Sequence, residues 1–472
     1  MSKGQQKKSL SLSQRIAEFA RKTELKDIPT DVVEKAKIHL VDASGTALAA
    51  SQKDFSKPLI SAMTELGGSG DTAIFGHIKK STLRDATLVN GALIHSLDFD
   101  DTHGESVVHC SASAWPTAFG IGLDNNLSGA DALVGYLIAA ELSACIGSFT
   151  GGTLQRKGFH PTGIIGAFGC AAGAGRLYGL RADQIVDALG ITLSMASGNM
   201  EFVTDGAWTK RLHPGWAAVI GITAAILAKN GFKGPTKPLE GQFGLFATLL
   251  EDINKSQIAA LGKDLGEKWR VREFAIKPYP LCHFNHSLID CALKIRRKHK
   301  FQLHEVSRIT VLLHPDELPI VCEPLHQKKE PKTIYEAQFS APYAVATALL
   351  RGRFGISELE DRCLTDKDII GLAKKVIYAK DPKSGFPKYF SGGVKLQLTS
   401  GQVVEEYQRI HRGASEYPLS DESVMEKFFA NSKSSLGDAL SELLANSLMH
   451  LENLQNLEDL ADLIRGLSRS SG

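Results

Sequence analysis

Apolar side chains recur at helical spacing along most of the first 270 residues. Leu12, Ile16, Phe19 and Ala20 fall at i, i+4, i+7 and i+8, one face of a helix. After Pro29, Thr30 or Asp31 offers a cap, and Val33, Lys37, Leu40, Val41, Gly45 and Leu48 trace a second stripe. The segments Ala130–Ala144, Gly163–Leu177 and Ala217–Ala228 are apolar nearly all round. Helices of that kind belong inside an assembly, not on its surface. Gly163, Gly166, Gly169 and Gly173 repeat every three or four positions, which lets helix backbones approach closely. A nucleotide-binding glycine loop is excluded there, because the spacing from Gly173 to Gly179 is wrong and no strand pattern precedes it.

The pattern changes near residue 271. Ser307–Leu313 is rich in β-branched residues, and Val394, Leu396 and Leu398 alternate with Lys395, Gln397 and Thr399. Ser400-Gly401 turns the chain and Gln402–Tyr407 returns, which predicts a hairpin. Helices are predicted at Ala337–Leu350 and Asp366–Ala379. Beyond Pro418 helical spacing resumes, with leucines every three residues from Leu448 to Leu463; this is no sustained heptad, so two short helices are expected rather than a coiled coil. The fold class expected is mainly α: a helical domain over 1–270, an inserted α+β lid domain over 271–410, and C-terminal helices over 411–472 that pack back on the first domain.

Composition narrows the function classes. The chain has 472 residues, 43% hydrophobic and 22% charged, which fits folded globular domains and excludes disorder as the main state. A net charge of +2 gives no global field for nucleic acid or an anionic membrane. Seven cysteines, an odd number without a Cys-x-x-Cys pair, do not make a secreted disulfide framework. The polar N-terminus carries no apolar run of signal-peptide type, and the apolar stretches fall short of the roughly 20 residues that span a bilayer or carry a charge within them. A cytoplasmic location without membrane contact is expected.

Four polar clusters stand out. The run from His95 to His109 holds Asp98, Asp100, Asp101 and Glu105 with His95, His103 and His109. Carboxylates this crowded ionise together only if something compensates them. A solvated loop, an acid/base site and a divalent-metal site all fit. Arg156-Lys157-Gly158-Phe159-His160-Pro161 precedes the Gly163 helix, whose N-terminus favours an anion. Lys210-Arg211-Leu212-His213-Pro214 opens another apolar helix, either as surface residues or as the cationic side of an interior site. In Lys277-Pro-Tyr-Pro-Leu-Cys282-His283-Phe-Asn-His286, a zinc set of Cys282, His283, His286 and Cys291 is disfavoured by the adjacent Cys-His pair. A substrate histidine at the domain junction fits better.

These stretches carry a resemblance. His95-Ser-Leu-Asp-Phe-Asp-Asp-Thr-His103, Gly158-Phe-His-Pro161, Lys210-Arg-Leu-His-Pro-Gly215, Lys277–His286 and the later Gly413–Phe428 segment resemble the MmgE/PrpD family nearly end to end. That family includes 2-methylcitrate dehydratase, cis-aconitate decarboxylase and iminodisuccinate epimerase. The resemblance implies an active site in the cleft between a helical domain and a lid, a homodimer, and no metal or organic cofactor. Matched by motif, it implies pocket residues Asp98, Thr102, His109, His160, Lys210 and His286, with His103 and Lys277 as further binding candidates and Tyr343 as a lid tyrosine. One departure is His109-Cys110-Ser111, where the family commonly has His-Pro-Ser.

The reactions of such a family place negative charge on carbon beside a carboxylate, which fixed cations would stabilise. Lys210, His160 and His286 are therefore expected to hold carboxylates of a small anionic substrate. His109 would move the proton, with Asp98 orienting it, Tyr343 as a second proton carrier and Thr102 as a hydrogen-bond donor. The leading expectation is a lyase of 2-methylcitrate dehydratase type. Decarboxylation of an aconitate and epimerisation of an amino- or imino-dicarboxylate need the same groups. A metal-dependent hydrolase and a non-catalytic scaffold are the remote alternatives.

Overall fold

The computed structural model describes residues 10–251 and 254–467. Helices dominate, accompanied among the described residues by one four-stranded mixed sheet and two two-stranded antiparallel pairs. Those that position the site are α1 (Leu12–Lys22), α2 (Thr30–Ser51), α3 (Leu83–Ser96), α4 (Cys110–Asp124), α5 (Gly129–Phe149), α6 (Pro161–Leu177), α7 (Thr209–Lys229), α8 (His286–Lys298), α9 (Ala341–Arg351) and α10 (Asp421–Met449). The Ser11 side chain caps α1 by accepting the Gln14 N–H, and α2 starts at Thr30 behind Pro29. The early stripes therefore lie where their spacing put them.

Apolar side chains gather into two main cores. One draws on residues from Leu12 to Phe274 and on Phe428 to Ile464, so α10 and the last short helix pack with the first half of the chain. The other draws on Tyr279 to Val404, with Phe202 reaching in from outside that range. The four-stranded sheet belongs to the second core: β1 (Val306–Leu313), β2 (Val376–Lys380), β3 (Gly392–Leu398) and β4 (Val403–Gln408), in the order β2-β1-β3-β4. Strand β1 runs parallel to β2 and antiparallel to β3, and β3–β4 is the expected hairpin. Helix α8 packs on β3 and β4.

Two local expectations are corrected. The stretch 366–379 is helical only over Lys367–Ala373; Val376-Ile377-Tyr378 instead pairs with Ile309-Thr310-Val311, since a β-branched run beside an open strand edge gains a ladder. The stretch 337–350 is broken at Ser340, whose side chain accepts the Tyr343 N–H and begins α9 with Pro342 in its first turn. Beyond Pro418 the helix Asp421–Met449 is interrupted at Gly437, whose φ 73° and ψ 173° are not helical, so the segment after it and Glu458–Ile464 make the two short helices expected there.

Helices α5 and α7 are 21 residues each and, by length and composition alone, long and apolar enough to cross a bilayer. Both are packed mostly inside the protein, α5 along nearly its whole length. Small residues make that packing possible. A Cβ at Gly169 on α6 would sit 2.3 Å from the Ala139 carbonyl oxygen of α5. At the α3–α7 crossing, a Cβ on Gly91 would meet the Gly215 Cα at 2.5 Å, and one on Gly215 would meet the Leu88 carbonyl oxygen at 2.0 Å. This crossing brings the end of α3 against the start of α7, where Lys210 stands. Gly215→Ala should therefore destabilise the fold by at least about 1–3 kcal/mol, the usual cost of overpacking. A urea-denaturation midpoint equal to wild type would show that the two helices do not cross this closely.

Candidate active site

The acidic run links α3 to α4 and is buried, not solvated. Asp98, Asp100, Asp101, His95, His103 and His109 are all shielded from solvent. Asp98 lies at φ 51°, a left-handed conformation unusual for a side-chain-bearing residue. Several long side chains hold the loop in place. Lys210 Nζ donates to Asp98 Oδ2 at 2.7 Å. Lys277, fully buried, donates to Asp98 Oδ1 and, at 3.0 Å, to the Asp98 carbonyl. Lys427 of α10 reaches the Phe99 and Lys277 carbonyls at 2.7 and 2.9 Å, and Gln338 reaches the Leu97 and Pro280 carbonyls at 2.6 and 3.1 Å. Arg211 donates to the Ser96 carbonyl at 3.2 Å while its guanidinium covers Phe55 and Tyr335. Lys210 and Arg211 are thus interior residues.

The electrostatics follow from this packing. Burial alone would raise the Asp98 pKa, but the ammonium groups of Lys210 and Lys277 outweigh it and hold the carboxyl well below its usual range. Burial likewise opposes charge on Lys277, and Asp98 and Asp100 reverse that, so its pKa is raised. Two cations share one carboxylate, leaving a positive excess beside the cavity.

The histidines form a second layer. His109 Nδ1 donates to the Asp101 carbonyl at 2.9 Å and lies 3.1 Å from Thr102 Oγ1, so in the neutral ring the lone pair is on Nε2. Burial takes its pKa down to about 3, which keeps the ring neutral. His95 Nδ1 meets Asp100 Oδ2 at 2.8 Å, and His160 Nδ1 meets His213 Nδ1 at 2.9 Å. His95, His109 and His160 each offer a ring nitrogen within 4.8 Å of the others, the only all-histidine group of that kind among the described residues. A cavity of about 50 Å³ is lined by Asp98, Thr102, His109, His160, Lys210 and Lys277, together with Cys282, His283, Phe339 and Phe390.

Six of the nine expected site residues therefore share one hollow, and three do not. His286 bonds through Nε2 to the Leu281 carbonyl at 3.1 Å and packs on Tyr279; the short turn His283–Asn285 before α8 carries His283 to the cavity in its place. Tyr343 is a core residue whose hydroxyl donates to the Glu358 carbonyl at 2.6 Å. His103 bonds to Ser106 at 2.9 Å and Glu273 at 3.2 Å and faces a separate cavity. The role expected of Asp98 is also corrected: the Asp101 carbonyl, with Asp100 3.7 Å away, orients His109, while Asp98 is held by the lysines. The four zinc candidates do not converge, since Cys291 turns to the Gly392 carbonyl. Cys110 begins α4 as a buried thiol whose pKa burial pushes well above its usual value.

His95, Asp100, His213, His283 and Gln338 are additions. His95, Asp100 and His213 lay inside the quoted motifs without a role. Gln338 had no local signal, because its partners are main-chain carbonyls 58 and 241 residues away.

Two family models match: the MmgE/PrpD N-terminal domain over residues 14–257 and the MmgE/PrpD C-terminal domain over residues 279–451. The chain belongs to the MmgE/PrpD family. Among curated relatives of this family member, the cis-aconitate decarboxylase-like protein oryM of Aspergillus oryzae is 26% identical over 464 residues, covering 94% of this chain and 95% of its own. The cis-aconitate decarboxylase of Aspergillus terreus is 25% identical, covering 88% and 87%. The human cis-aconitate decarboxylase is 28% identical, covering 81% and 79%.

Asp98→Asn would leave two buried ammonium groups without their carboxylate. It should cost about 3–5 kcal/mol of folding stability at pH 7, the usual loss on breaking a buried pair. A loss below about 1 kcal/mol in chemical denaturation would mean that the lysines do not depend on Asp98.

Proposed function

We propose that this MmgE/PrpD lyase is a cofactor-independent decarboxylase of an unsaturated tricarboxylate of the cis-aconitate type. The observation that carries the reading is the buried Lys210–Asp98–Lys277 cluster, which has one cation more than its carboxylate can neutralise and borders a cavity with a neutral His109. A substrate carboxylate is the natural counter-ion. The names of the relatives favour loss of CO2 over the dehydration of a 2-methylcitrate-type acid, which takes second place; epimerisation of a dicarboxylate stands behind both.

In this reading the C–C bond between the allylic CH2 and its carboxylate breaks and CO2 leaves. The electron pair delocalises through the adjacent C=C onto the carbon beside a remaining carboxylate, a proton joins that far carbon, and the double bond moves to the former CH2. Lys210 and Lys277 stabilise the charge where it develops, at fixed positions in a buried site. His109 relays a proton from water to carbon through Nε2, with its tautomer fixed by the Asp101 carbonyl, and Thr102 and His160 position the acid. A cavity of about 50 Å³ holds one or two waters, not a tricarboxylate. We therefore assign the second core, Tyr279 to Val404, the part of a lid that moves to admit substrate. Phe339 lines both this cavity and a neighbouring cleft of about 460 Å³, and in this reading substrate approaches through that cleft. The protein would act as a cytoplasmic homodimer; Trp208, Leu212, Trp216 and Ile226, exposed along α7, suit a second copy of the chain.

The test is direct. Wild-type protein incubated with cis-aconitate should release CO2 and leave an itaconate-type product. Lys210→Ala should lower kcat by about 100-fold or more, the scale of losing one charge-stabilising group. Water exchange or loss without CO2 from a hydroxy-acid panel would establish the dehydratase instead, and unchanged turnover in Lys210→Ala would remove the cation from the mechanism.

A further inference from the structure

The three imidazoles beside the lysines have more in common than proximity. Each has its Nδ1 engaged by a different partner: His95 by the Asp100 carboxylate, His109 by the Asp101 carbonyl, His160 by the His213 ring. Bonds of this kind fix the tautomer and orientation of metal-binding histidines and raise their donor strength. Among the described residues His95 Nε2 is buried without a hydrogen-bond partner. It belongs to a residue only 2% exposed whose ring lies 4.6 Å from that of His109 and 5.5 Å from that of His160. A buried nitrogen lone pair left unpaired costs free energy, and two further imidazoles crowd the same point.

We infer that His95, His109 and His160 form a binding site for a divalent transition-metal ion such as Zn²⁺, and that occupation of this site blocks the catalytic cavity. One nitrogen of each ring lies within 4.8 Å of the other two. Zn–N bonds of about 2.0–2.1 Å place ligand nitrogens roughly 3.3–3.4 Å apart, so small side-chain rotations close the set. Imidazole suits Zn²⁺, Cu²⁺ and Ni²⁺ better than Mg²⁺ or Ca²⁺, which prefer oxygen. Asp100 Oδ2, 2.8 Å from His95 Nδ1 and 3.7 Å from His109 Nδ1, supplies a carboxylate behind two of the three rings. His109 and His160 line the cavity, so an ion held by them would border it. An ion there, with a water as fourth ligand, would fill about 50 Å³ and take the lone pair that His109 needs for proton transfer. The inhibitory half of the inference rests on the decarboxylase reading; the binding half does not.

Metal-free protein titrated with Co²⁺ should develop the visible absorption of a four-coordinate site, saturating at one equivalent per chain, and Zn²⁺ should bleach it. His95→Asn and His160→Asn, each checked for wild-type melting, should each weaken Co²⁺ binding at least tenfold. Zn²⁺ should inhibit CO2 release competitively with the tricarboxylate and reversibly with a chelator. Absence of a saturable Co²⁺ spectrum, or one unchanged in both variants, would overturn the site. Stoichiometric binding with unchanged or increased CO2 release would overturn the inhibitory role. A wild-type protein that binds Co²⁺ as expected but releases no CO2 would keep the metal site and discard the decarboxylase reading.

Discussion

The interior of this protein is organised around one carboxylate and two ammonium groups. Burying a lysine costs several kcal/mol unless a counter-ion and hydrogen bonds compensate it. Asp98 compensates Lys210 and Lys277 together through its two oxygens and its own carbonyl. Because one negative charge serves two positive ones, the cluster is held together yet unsaturated toward anions. Its geometry depends on packing far from any charge. Lys210 reaches Asp98 because α7 lies almost backbone to backbone on α3, and only glycine at positions 91 and 215 permits that approach.

Around this cluster the protein places neutral bases. Burial removes the charge from His109 and His95, and their Nδ1 atoms are committed to neighbouring oxygens. Fixed positive charge and uncharged imidazole thus occupy one small hollow. The proposed proton transfer and the inferred metal site draw on the same feature, imidazole lone pairs that burial keeps unprotonated.

Much of the architecture was legible in the chain. Helical stripes, all-round apolar segments and the alternating hairpin fixed the secondary structure wherever one periodicity prevailed. It failed where two elements compete locally, as at Val376–Lys380, which becomes a strand only because the edge of β1 is available. The candidate site was legible as motifs. Asp98, Thr102, His109, His160, Lys210 and Lys277 stand in runs whose polarity contrasts with the apolar helices beside them, and they converge. Tyr343 and His286 stood in equally recognisable runs and do not, because motif membership carries no information about which way a side chain turns at a helix start.

The sequence by itself determined that the chain is mainly helical, that glycine-rich helices lie inside it, and that acids, lysines and histidines collect at the ends of those helices. These follow from local periodicity and from the cost of exposing apolar surface. Only the tertiary structure decided which carboxylate meets which lysine, that Asp101 and not Asp98 orients His109, and that His283 replaces His286 at the cavity. Those choices rest on contacts between residues more than a hundred positions apart, or on the direction of a single turn, and no spacing along the chain encodes them.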